Sequence, residues 1–398
     1  MTDTHDRQPQ LSPLYAIPEV QQASQMPRHV LVHDVTLRDG EQTPGVVFDT
    51  QRRLTIARAL DALGVQRIEA GFPLISPDDR EGVTAVVQAG LRAEIWGFGR
   101  CLPGDVQANA ECGVTRMTLE ISISDQKIAA YGLTRERVLE RVSVSMAKAK
   151  ALGLTVAFMP VDLTRADLRF AEQVLTEAVR QGANEIVIVD TIGVMTPEAM
   201  AYLTRQIRSW VSVPLDAHVH NDFGLGVANT LAALKAGAHC AHVSVNCLGE
   251  RAGNVDLAEV VVSLELLYGV RTGIRLEKLA ETARLVEAQS GYALSLTKPI
   301  VGRCVFTREA GGVVQQMMSS PPSVEPFDPG LVGLERAVVL GKKSGRYSII
   351  HALERLGLKA TDEQIDAALA KVKELSTRQR RAISDEEFTA ILARVVHI

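Results

Sequence analysis

Nothing in this 398-residue chain equips it for a membrane, a disulfide framework or a nucleic acid. Its longest apolar stretches are short strand-like runs and amphipathic segments, far below the ~20 residues that a membrane-spanning helix requires. Met1 to Arg28 is polar and proline-dotted, lacks the charged-then-apolar pattern of a secretory signal, and reads as a flexible N-terminal arm. The five cysteines (Cys101, Cys112, Cys240, Cys247 and Cys304) are scattered, form no C-x-x-C pair and are odd in number. Reduced thiols in a cytoplasmic protein suit that usage. Aromatic residues make up only 4% of the chain, no basic stripe interleaves with them, and the net charge is −4, so small metabolites are expected partners and nucleic acid is not. A glycine-rich dinucleotide fingerprint is also missing after the first apolar run, which argues against a doubly wound sheet.

What the chain does contain is an apolar run that ends His33-Asp34-Val35-Thr36-Leu37-Arg38-Asp39-Gly40-Glu41-Gln42, and a distant one that ends His218-Val219-His220-Asn221-Asp222. If Leu215 to Asn221 is extended, the two histidines project from one face and can share a metal. Asp39 adds a hard oxygen, and two imidazoles with one carboxylate leave positions open for substrate and water. Such a site can polarise the carbonyl of an oxo acid. An isolated H-x-H is more often a pair of partly buried structural histidines; the surroundings decide otherwise here.

From residue 30 onward, Val- and Ile-rich runs alternate with helical stretches. Strands are expected near 30–36, 66–71, 93–98, 115–121, 154–159, 185–190, 214–219 and 241–246, with helices such as Thr50 to Leu63, Arg135 to Leu152, Ala166 to Gln181, Pro197 to Trp210 and Gly226 to Ala236 between them. Eight such pairs predict a (β/α)8 TIM barrel over 29–275, of the size usual for that fold. Residues 276–398 break the repeat and read as a linker with a small, mostly helical accessory region: 298–316 irregular, 319–329 proline-rich, and 361–396 two charged helices.

A barrel gathers its chemistry at the C-terminal ends of its strands. Arg38, Asp39, Glu69, Arg100, Asp162, Asp190, Thr191, His218, His220, Asn246, Glu250 and Asn254 all fall there. Taken singly each could be a helix cap or a surface charge, a reading that fits Asp162 and Glu250 best. Together they describe a ring of ligands.

In this order, the motifs Thr36-Leu37-Arg38-Asp39-Gly40-Glu41-Gln42, Gly71-Phe72-Pro73, Asp190-Thr191-Ile192-Gly193, His218-Val219-His220-Asn221-Asp222 and Gly249-Glu250-Arg251-Ala252-Gly253-Asn254 resemble the metal-dependent family of homocitrate, 2-isopropylmalate and citramalate synthases. The resemblance covers nearly all of residues 30–350 and is strongest to the homocitrate synthase branch of bacterial nitrogen fixation. It implies that a 2-oxo acid binds a divalent cation (zinc, manganese, magnesium or iron), that acetyl-CoA loses a methyl proton and adds to the polarised carbonyl, and that water then cleaves the thioester. It implies Asp39, His218, His220 and Asn254 as metal ligands. Arg38, Glu69, Thr191 and Lys343 form the expected catalytic set, and Arg38, Gln42, Arg100, Thr191 and Asp216 the expected substrate-binding set. It further implies a homodimer, and no regulatory domain of the kind that leucine-controlled isopropylmalate synthases carry.

The chain also departs from that family. Val313 and Val324 occupy the positions of a histidine and a tyrosine thought to move protons, Lys343 that of another histidine, Val161 and Asp162 that of a Glu-Asp pair, and Cys247 that of a glycine. Valine moves no proton. Three readings therefore stand: acyl-CoA condensation with a 2-oxo acid; a carbon–carbon lyase or aldolase reaction on a 2-oxo or 2-hydroxy acid without acyl-CoA; and a non-catalytic relative that binds an oxo acid. Cys247 reads as a buried small residue ahead of a catalytic thiol.

Overall fold

Eight parallel strands close into a barrel in sequence order: β1 (Leu31–Asp34), β2 (Arg67–Glu69), β3 (Glu94–Arg100), β4 (Arg116–Ser122), β5 (Thr155–Val161), β6 (Glu185–Asp190), β7 (Leu215–Val219) and β8 (Cys240–Val243). This computed structural model describes residues 11–395, so the first ten residues of the expected N-terminal arm lie outside it. The remainder of that arm carries two short helical turns, Pro13–Ala16 and Pro18–Ala23, with no buried side chain.

The helices between the strands follow local chemistry. Thr50–Leu63 starts at Asp49, whose carboxylate accepts from the Arg52 amide at 2.8 Å, and ends at Gly64 in the left-handed conformation. Pro197–Trp210 has proline in its first turn and Thr196 as its cap. Leu168–Arg180 buries Phe170, Ala171, Val174, Leu175 and Ala178, the one-sided spacing of a helix laid on a sheet. This unit runs Leu14–Leu294 and reaches beyond residue 275, because the helix Leu279–Ser290 packs against Thr50–Leu63. The six strands expected from 30 to 190 and the two expected beyond 214 all form within a few residues of their expected bounds.

The barrel interior is divided. On β3, β5 and β6 the middle inward positions are apolar: Trp96, Phe98, Ala157, Met159, Val187 and Val189 form one cluster. On β1, β2, β7 and β8 they are polar, with His33, Arg67, Glu69, Asp216, His218 and His242 all buried. Strand register sets Arg67 beside His33, His33 beside His242, and His242 beside His218, a row across four neighbouring strands.

The second unit contains residues 295–395. Two short parallel strands, Thr307–Arg308 and Ala337–Val338, accompany four helices: Gly311–Ser319, Arg346–Arg355, Asp362–Gln379 and Asp385–Val395. Its core joins Leu340, Ile349, Leu353, Ile365, Val372, Phe388 and Leu392. Segment 298–316, expected to be irregular, holds the start of a helix at Gly311. Among the described residues, no helix is long and apolar enough to cross a membrane.

Candidate metal and oxo-acid site

Asp39 stands in the turn just after β1, while His218 lies on β7 and His220 immediately past its end. The Asp39 Oδ2 is 3.5 Å from His218 Nε2 and 3.9 Å from His220 Nε2, so both imidazoles turn the same nitrogen towards one carboxylate. One ligand atom from each of the three lies within 4.8 Å of the others. The other oxygen, Asp39 Oδ1, is buried without a hydrogen-bond partner, and so is Asn254 Oδ1, whose amide nitrogen donates to the Leu248 carbonyl at 3.1 Å. A hard carboxylate, two imidazoles and an unsatisfied amide oxygen are a donor set that fits a divalent cation.

Arg38 organises this cluster. Its NH1 donates to Asp39 Oδ2 at 2.8 Å, its Nε to Glu69, and its guanidinium carbon sits 4.0 Å above the Phe98 ring. The remaining nitrogen, NH2, is buried and unpartnered. Burial alone would raise the Asp39 carboxyl, but Arg38 and the two histidines outweigh it and hold the group below the usual carboxylate range. Burial pushes His218 and His220 down to about 4, which keeps both rings neutral and able to ligate.

Thr191 follows β6, and its hydroxyl accepts from the Asp162 amide at 2.7 Å, which leaves the hydroxyl hydrogen to give. Gln42 is exposed at the end of the turn Gly40–Gln42. Arg100 has a half-exposed side chain whose Nε donates to Asp105 at 2.8 Å, so its charge is already matched. Asp216 must be corrected: it is fully buried and faces His239, His242 and Arg67, not the barrel mouth. Two residues before His218 on the same face is one layer, ~6.6 Å, deeper in the barrel. Lys343 belongs to the second unit, where its backbone amide donates to Glu309 Oε1 at 2.9 Å. Asp162 is buried and bound by Arg165 and Ser124, a turn anchor in the left-handed conformation.

Residues 29–286 match the HMGL-like domain family, and residues 300–380 match the homocitrate synthase post-HMGL domain-like family. The chain belongs to the HMGL-like family. It is 41% identical to the homocitrate synthase AksA of Methanopyrus kandleri over 372 residues, which cover 93% of this chain and 94% of that protein. A putative (R)-citramalate synthase, CimA, of Archaeoglobus fulgidus is also 41% identical, over 93% of this chain and 76% of its own. Among solved structures, the Bacillus subtilis HMG-CoA lyase shares the fold with a TM-score of 0.62 at 19% identity, covering 69% of this chain and 98% of that one.

Two residues that sequence reasoning passed over stand near this site of the HMGL-like chain. Glu120 on β4 is partly buried beside Arg100 in the register, and burial pushes its carboxyl up to about 7 against the pull of Arg38, Lys127 and Arg100. Among the described residues its carboxyl has no hydrogen-bond partner. It lines a cavity of about 250 Å³ together with Arg100, Ser122, Tyr131 and Arg141. His242 on β8 lies directly behind His218, Nδ1 to Nδ1 at 3.4 Å. The signal was present in both strands: His242 is a polar side chain among apolar neighbours on β8, and Glu120 belongs to the polar face of the alternation Arg116-Met117-Thr118-Leu119-Glu120-Ile121-Ser122 on β4. Cys247 is half-buried in the loop after β8, with its Sγ 4.0 Å from the Asn221 amide and its φ at 60°.

Proposed function

We propose that this protein is an acyltransferase of the homocitrate synthase type, condensing acetyl-CoA or a close acyl-CoA with a 2-oxo acid held at a divalent cation. The convergence of Asp39, His218, His220 and Asn254 at the mouth of an HMGL-like barrel carries this reading. Similarity to homocitrate and citramalate synthases over nine-tenths of the chain supports it.

In this reading Asp39, His218 and His220 hold the cation, with Asn254 Oδ1 beside them. The cation supplies Lewis-acid polarisation of the oxo group. Arg38 presents its unpartnered NH2 to the oxygen that gains negative charge, an electrostatic contribution of several kcal/mol. The Thr191 hydroxyl orients the substrate carboxylate. Glu120 supplies the acid–base group in the mouth, its proton affinity near neutrality suiting either direction of transfer. Family counterparts use a histidine and a tyrosine at the positions of Val313 and Val324. A homodimer is part of the same proposal.

The two valines favour a second reading, a lyase or aldolase reaction on a 2-oxo or 2-hydroxy acid without acyl-CoA. One experiment separates the two. The protein is loaded in turn with zinc, manganese, magnesium and iron, and release of free CoA thiol is followed across a panel of 2-oxo acids. Thiol release that depends on both the oxo acid and the cation supports condensation. Turnover of oxo or hydroxy acids with no acyl-CoA present replaces it with the lyase.

A further inference from the structure

Beneath the proposed cation site lies a buried line of polar groups that the reaction just described does not use. Glu185 on β6 grips Arg67 on β2 through two hydrogen bonds of 2.7 and 2.9 Å. Arg67 NH1 reaches Asp216 Oδ2 at 3.5 Å, and the same oxygen lies 3.2 Å from His242 Nε2. His242 Nδ1 in turn faces His218 Nδ1 at 3.4 Å. His33 stacks on the His242 ring at 4.2 Å with 24° between planes, which fixes the ring's orientation.

Hydrogen-bond chemistry determines where the protons sit along this line. Asp216 Oδ2 stands between Arg67 NH1 at 3.5 Å, a group that is always protonated, and His242 Nε2 at 3.2 Å. Beside that permanent cation, Asp216 Oδ2 accepts as a carboxylate oxygen. His242 Nε2 must then be the N–H, which leaves Nδ1 with a lone pair, because a neutral imidazole carries one hydrogen. Two nitrogens facing one another need one hydrogen between them, so His218 Nδ1 supplies it. His218 Nε2 is left with a lone pair aimed at Asp39 Oδ2, 3.5 Å away. Two electron-rich atoms converging in a buried site repel each other unless a cation lies between them.

We propose that His242 is a positioning residue: held by Asp216 and Arg67, it fixes His218 in the Nδ1–H tautomer and so presents the Nε2 lone pair to the cation. This rests on the cation site proposed above. Carboxylate or carbonyl groups behind a ligand histidine commonly perform this task; here a second histidine passes the constraint on from a carboxylate one layer deeper.

The test compares His242→Phe, which removes the acceptor, with His242→Gln, which keeps one acceptor and one donor. Zn(II) affinity is measured by competition with a chelator. His242→Phe is expected to bind 10- to 100-fold more weakly than wild type, and His242→Gln within threefold of it. Equal affinity in wild type and His242→Phe overturns the inference while the cation site stands. Failure of the wild type to bind one Zn(II) per chain overturns the cation reading itself. Imidazole ¹⁵N spectra of the cation-free wild type give a readout that needs no variant to fold: His218 protonated on Nδ1 is expected, and His218 protonated on Nε2 overturns the inference.

Discussion

Gly249 leaves room for Asn254 that no other residue would. A β-carbon at Gly249 would stand 2.4 Å from Asn254 Nδ2 and 3.0 Å from Asp39 Oδ1, so the absence of a side chain is what lets these two polar groups converge. Its φ of +148° adds a conformational reason for glycine. Gly249→Ala should therefore displace the unsatisfied oxygens and weaken Zn(II) binding by about tenfold or more, with ~1–3 kcal/mol lost from stability. Calorimetric titration together with denaturant unfolding checks both. Unchanged binding would show that Asn254 and Asp39 need not lie this close.

Arg38 holds Glu69 and Asp39 with a planar fork while its face rests on Phe98. A lysine has neither the fork nor the stacking plane. Arg38→Lys is expected to lower turnover by about 10²- to 10³-fold, read as CoA thiol release under saturating oxo acid. Retention of more than a third of the wild-type rate would remove Arg38 from the role assigned to it.

Glu120 ties pH to stability. Its carboxyl is pushed up to about 7 from an ordinary 4.5, chiefly by burial. Between those values the native state binds more protons than the unfolded chain, so this group lowers stability as pH rises through the window. Glu120→Gln removes the dependence. The variant should be more stable than wild type by ~1–2 kcal/mol at pH 8, allowing for the group's partial exposure, and close to it at pH 4.5. Urea unfolding at the two pH values decides, and an equal difference at both would refute the assignment. The same variant should lose turnover, as general acid–base groups contribute about 10²- to 10⁴-fold.

The Arg67–Glu185 pair crosses the barrel interior and supports the line to His218. Removing one partner leaves a buried charge without its match, so Arg67→Met should cost about 3–5 kcal/mol. Arg67→Met with Glu185→Leu should recover much of that stability, and a double-mutant cycle measures how much.

Cys247 has a φ of 60°, a conformation that favours glycine. Cys247→Gly should leave the protein as stable or raise it by ~0.5–1 kcal/mol, with turnover retained. A variant that folds well but loses turnover would make the thiol catalytic.

Strand alternation and helix spacing are local properties, so barrel class, strand order and the pairing of His218 with His220 on one face were readable from the chain. The same alternation pointed to Glu120 and His242, but a polar residue at an inward position carries no label for its neighbours. Asp216 shows the limit most clearly. Its position two residues before His218 was correct as a shared face and misleading as a shared depth, since a strand extends ~6.6 Å over that step.

The sequence by itself determined which residues face the barrel interior, because side-chain direction follows from the two-residue period of a strand. Tertiary structure alone decided which of them touch. Closing β8 onto β1 and β7 put His242 between His33 and His218, and the burial of that row left no water to satisfy its nitrogens. A buried polar atom must find its partner within the protein or in a ligand, so the unsatisfied oxygens of Asp39 and Asn254 and the unpartnered NH2 of Arg38 became visible only once the fold had placed their neighbours.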